Sequence, residues 1–140
     1  MTPLLDAIVA KFASASLATT GGITGGLHFD KVQDGKAPPF AVLTVIGAPL
    51  LDGYGFTHSY DAQLQFMIIG RGMKATGLLM ANLVAAYDHA TLTLSAGTNI
   101  GMRRTSEPFP MLQPADADLA LDEQSRRLWG WYVDYEYSVQ

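Results

Sequence analysis

Residues Arg126 to Gln140 read RRLWGWYVDYEYSVQ, and the alternation of large and small side chains in this stretch decides the fold. In a β-strand successive side chains point to opposite faces. Trp129, Trp131, Val133, Tyr135, Tyr137 and Val139 therefore share one face, and Leu128, Gly130, Tyr132, Asp134, Glu136 and Ser138 share the other. The first face is broad and apolar enough to need a full cover. One reading makes it the core and the strand central. The other uses the habit of Trp and Tyr of settling at interfaces, where an apolar body and one polar handle are both useful. Tyr132 among acids leaves the second face partly apolar as well. Such a strand fits a sheet clothed by its own helices on one flank and by a neighbouring subunit on the other.

Working outward, SYDAQLQFMIIG (59–70) has the same period. Tyr60, Ala62, Leu64, Phe66 and Ile68 fall on one face, with Asp61, Gln63, Gln65, Met67 and Ile69 on the other. FAVLTVIG (40–47) reads as a buried strand, with Pro38 and Pro39 at its entrance because they cannot donate to a ladder. LHFDKV (27–32) is a short strand candidate. Thr2 and Pro3 open a helix, Thr2 as cap and Pro3 at the first helical position. Leu5, Ile8, Val9 and Phe12 form its stripe. RGMKATGLLMANLVAAYDHA (71–90) is the strongest helix pattern, with Ala75, Leu79, Asn82, Leu83, Ala86 and Tyr87 along one side. TLTLSAGTNIGMRRTSE (91–107) gives a short extended piece, a turn at Gly97 and a strand. PFPMLQPADADLALDE (108–123), with three prolines and several acids, reads as a long loop.

The strands are not separated one by one by helices, which argues against a doubly wound parallel sheet. The expectation is an α+β fold: an antiparallel or mixed sheet with two helices on one face, in the order α-β-β-β-α-β-β. A length of 140 residues without a dividing linker fits a single domain over residues 1–140.

Composition narrows the function. Charged residues make up 16% of the chain, well below the usual ~25%, so little polar material covers so small a body. Part of its surface is expected to lie in an assembly. The net charge of −4 is the wrong sign for a strong phosphate-gripping footprint. The absence of cysteine excludes disulfides, thiolate catalysis and Cys-ligated zinc. No basic leader with a cleavage site is visible, and no apolar run approaches the ~18–20 residues of a membrane span.

No stretch carries a recognisable reactive constellation. GGITGG (21–26) is followed by Leu27 and His28 instead of the Lys and Ser/Thr of a phosphate loop. His28, His58 and His89 show no metal-ligand spacing, and His89 reads as a group at the favourable end of a helix dipole. No G-x-S-x-G elbow fixes a serine nucleophile. The acids of ADADLALDE (115–123) sit in the proline-rich loop, which is poorly suited to hold two carboxyls at a working separation. Arg103 and Arg104 point to opposite faces of their strand, which suits intersubunit ion pairs as well as a solvated edge.

Read in order, LLDAIVAKF (4–12), PPFAVLTVIG (38–47), SYDAQLQFMIIG (59–70), TGLLMANLVAAYDHATLTLSAG (76–97) and WGWYVDYEYSV (129–139) resemble the tail-completion or tail-terminator family of long-tailed bacteriophages, prophages and gene-transfer particles. The resemblance spans nearly the whole chain and rests on apolar placement. It implies a structural virion protein of the tail, with no catalytic residues and no cofactor. Such a protein forms a ring, typically a homohexamer, that caps the tail tube and gives the head connector its docking surface. DNA passes through the lumen without sequence-specific contact, and no membrane is involved. Leu50, Leu51, Tyr54, Phe56, Arg103, Arg104 and Tyr132 are the candidate subunit and tube contacts. The competing reading is a small ligand-binding or enzymatic α+β domain, with Tyr60, His58, Asp61 and Tyr135 lining an apolar pocket under the helices. A dimeric interaction domain is the third.

Overall fold

In the computed structural model, the residues described are 2–30, 38–46, 62–94, 97, 99–113 and 128–139. They form α1 (Thr2–Ser14), β1 (Leu27–Phe29), β2 (Phe40–Ile46), β3 (Ala62–Arg71), α2 (Met73–Tyr87), β4 (Thr91–Thr93), β5 (Asn99–Arg104), β6 (Phe109–Leu112) and β7 (Leu128–Val139). The fold is α+β, with two helices and a mixed seven-stranded sheet. The strand order is β1-β2-β3-β7-β5-β4, and β6 also pairs with β7. Among the described strands only the β1–β2 pairing is parallel.

The two most regular alternations in the sequence become the central strands. β3 and β7 pair antiparallel over ten residues, from Ala62 opposite Tyr137 to Arg71 opposite Leu128. This register places Leu43, Phe66 and Val133 in one row across three strands, with Ala41, Ile68 and Trp131 in the row beside it. Leu64, Phe66 and Ile68 are fully buried, as are Val133, Tyr135 and Tyr137. The ring of Phe66 packs edge-on against Tyr135, centroids 5.8 Å apart, and tilted against Tyr87 at 4.7 Å. Each such side chain contributes roughly 1.5–3 kcal/mol through removal of apolar surface from water.

α2 supplies Thr76, Met80, Leu83 and Tyr87 as its buried stripe. This differs from the expected one: Leu83 and Tyr87 are shared, Ala75 and Asn82 are exposed, and Leu79 and Ala86 are half-buried. The helix is apolar on most sides, so several stripes compete and the sheet selects one. α1 buries Leu4, Ile8 and Phe12 in the same core cluster, with Leu5 against it. Val9, expected on this stripe, is 43% exposed, because the 4-8-12 spacing turns it outward. The Tyr87 hydroxyl donates to the Ile8 carbonyl at 2.8 Å and joins the two helices. Asn82 Nδ2 donates to the Gly21 carbonyl at 3.0 Å and holds the turn after α1 against α2.

The order after α2 departs from the expectation. Four strands follow it instead of two. β4 is the short extended piece before Gly97, and β6 lies inside the segment expected to be loop. Pro108 and Pro110 disguise it. Its ladder with β7 runs Phe109–Tyr132, Pro110–Trp131, Met111–Gly130 and Leu112–Trp129. The Gln113 N–H donates to the Leu128 carbonyl at 3.0 Å. By the alternation of an antiparallel pair, Met111 then bonds inward to β7, and the missing N–H of Pro110 falls on the outer edge. β5 and β6 thus lie end to end on one edge of β7, opposite residues 135–139 and 129–132. Between them the chain makes a bend, where the Thr105 N–H donates to the Asp134 carbonyl at 2.9 Å and the Asp134 N–H donates to Ser106 Oγ at 3.0 Å.

Candidate subunit interface

The sheet's second face divides into an apolar end and a polar end. At the apolar end the register aligns Phe40, Ile69, Gly130 and Met111 in one row and Val42, Met67, Tyr132 and Phe109 in the next. At the more polar end Thr44, Gln65 and Asp134 align, followed by Ile46, Gln63, Glu136 and Arg103. Gln65 Nε2 donates to Asp134 Oδ1 at 3.0 Å, and Arg103 pairs with Glu136 across the β5–β7 ladder.

β6 is the outermost part of the apolar end. All four of its residues are exposed, Phe109 at 39%, Met111 at 52% and Leu112 at 40%. An edge strand of this kind is normally blunted by charge, proline or cover. Among the described residues only Pro110 serves this, and it removes one outward N–H. The remaining attraction is through side chains. Phe109 stacks on Tyr132 with ring centroids 5.4 Å apart and planes 17° from parallel. The Tyr132 hydroxyl accepts from Gln113 Nε2 at 3.3 Å. Gly130 makes room for that reach, since a Cβ there would sit 2.5 Å from Gln113 Nε2. On the opposite side of β7 the Trp131 indole N–H donates to the Met73 carbonyl at 2.9 Å, and its ring lies against Gly77 of α2. Sequence reading took this segment for a loop able to reach neighbours and missed the strand β6. The run of Phe109, Met111 and Leu112 was the available signal, masked by its prolines.

Of the residues expected at contacts, Tyr132 lies at this apolar end, half-buried under Phe109. Arg103 and Arg104 lie on opposite faces of β5 and both have partners within the chain. Arg103 meets Glu136, and Arg104 lies 3.4 Å from Asp88 and from Glu107. Leu50, Leu51, Tyr54 and Phe56 lie outside the described residues.

The same holds for His58, Tyr60 and Asp61 of the pocket reading; its fourth member, Tyr135, is buried in the core. The Tyr135 hydroxyl donates to Asp88 Oδ1 at 2.8 Å. Burial raises the Tyr135 phenol above its ordinary range, helped by the hydrogen bond to Asp88 and its charge and opposed by Arg104. Burial alone raises Tyr87, and pushes Tyr137 up to about 12. Beside Asp88 an open cleft of about 300 Å³ is lined by His89, Arg103, Arg104, Thr105, Ser106 and Glu107. Its arginines are engaged with its carboxylates and with Glu136. His89 follows the end of α2 with φ of 55°, a left-handed residue that closes the helix. Among the described residues no cluster of three or more His, Asp or Glu is placed to hold a metal ion, and no helix is long and apolar enough to cross a membrane.

No protein-family model and no curated protein matches this chain. Seven chains of solved structures match it. One of them is similar at a TM-score of 0.61 with 14% sequence identity, over 99% of this chain and 94% of its own length. At that identity the likeness shows a shared fold, spanning nearly the whole of this chain.

Proposed function

We propose that this chain is a ring-forming structural subunit of a long-tailed phage-type particle, a tail terminator that closes the tail tube and offers the surface on which the head connector docks. The observation that carries the reading is β6: a four-residue strand, exposed throughout, with three large apolar side chains at the end of a sheet. Exposed apolar strands on a sheet edge are contact surfaces or aggregation hazards. A chain with 16% charged residues has little else to keep it apart from its own copies. The stretches that resemble the family fall on α1, β2, β3, α2 and β7, so the resemblance follows the frame of the fold.

Contacts between unlike surfaces of identical copies close into a ring when the rotation between them allows it. The proposed partners are sister copies in a hexamer, the tube protein on one ring face and the head connector on the other. A net charge of −4 suits a lumen that DNA slides past, because it offers no net grip on phosphates. No residue is given a catalytic role and no cofactor is invoked. The test is an electron micrograph of particles assembled without this protein. The reading expects overlong tails or tails without heads. Normal particles refute it.

A further inference from the structure

We draw no further inference here: the strongest candidate, the apolar patch at one end of the sheet's second face where Phe109 and Met111 of β6 lie beside Tyr132 of β7, carries none, because nothing in the structure shows what covers it.

Discussion

The hydroxyl of Tyr135 donates to Oδ1 of Asp88 at 2.8 Å, and the other carboxylate oxygen of Asp88 faces Arg104 at 3.4 Å. One carboxylate at the end of α2 thus fastens the helix to β7 and to β5. Tyr135→Phe removes the hydroxyl and keeps the ring, and leaves Asp88 one donor short. It should cost about 1–2 kcal/mol in urea-induced unfolding. Asp88→Asn keeps an oxygen for the tyrosine and loses the attraction to Arg104, so its cost should be smaller. Equal and negligible costs for both would show that the fastening is not used.

Two residues along the same strand the opposite outcome is expected. The Tyr137 hydroxyl is buried and has no hydrogen-bond partner among the described residues. An unpaired buried hydroxyl destabilises the folded state, and its removal without loss of the ring relieves that cost. Tyr137→Phe should raise stability by about 1 kcal/mol. A loss of similar size would mean that the hydroxyl is satisfied in solution.

The buried phenols also set an alkaline limit. A phenol ordinarily ionises near ~10. Burial pushes Tyr137 up to about 12 and raises Tyr87 and Tyr135 too. Above ~10 the unfolded chain loses protons that the folded chain keeps, so the unfolded state binds fewer protons and stability falls with pH. Their contribution is fully present below ~10; that of Tyr137 is lost as pH rises from ~10 through about 12, and the loss from Tyr87 and Tyr135 continues above it. Chemical unfolding followed across this window, with tyrosinate absorbance as the second probe, should show stability declining as the absorbance rises on unfolding. A flat stability profile contradicts the assigned burial.

Gly77 stands in the middle of α2, where alanine is ordinarily the better helix former by about 1 kcal/mol. A Cβ at this position would come within 2.8 Å of Trp131 Cζ2. Overpacking of this kind costs ~1–3 kcal/mol, enough to reverse the helical gain. Gly77→Ala should therefore lower the melting temperature and shift the tryptophan emission, because the indole must leave the Met73 carbonyl or tilt away from the helix. A stabilised variant with unchanged emission would show that the indole has room to spare.

Much of the fold was legible because its central strands are strictly alternating. Leu64, Phe66 and Ile68, with Val133, Tyr135 and Tyr137, can satisfy a period of two in only one way, and the sheet was built on them. The helix faces were less legible. In α2 the succession Leu78, Leu79 and Met80 offers apolar side chains in three directions, and only packing on β3 and β7 chose Met80 and left Leu78 62% exposed. β6 was hidden because prolines read as loop, although an edge strand tolerates a proline whose absent N–H faces outward. On the candidate interface the sequence placed Tyr132 on the partly apolar second face, and Phe109 stacks on it there. That pairing depends on a long-range register that no local pattern encodes.

The central claim is that identical copies of this chain assemble through unlike surfaces into a closed ring. Native mass spectrometry of the purified protein, run across a range of concentrations beside negative-stain images, addresses it most directly. The account predicts a discrete hexameric species, seen as an annulus, that Met111→Glu converts to monomers. A parent protein that remains a single subunit throughout the range, or that stops at a two-fold dimer, contradicts it.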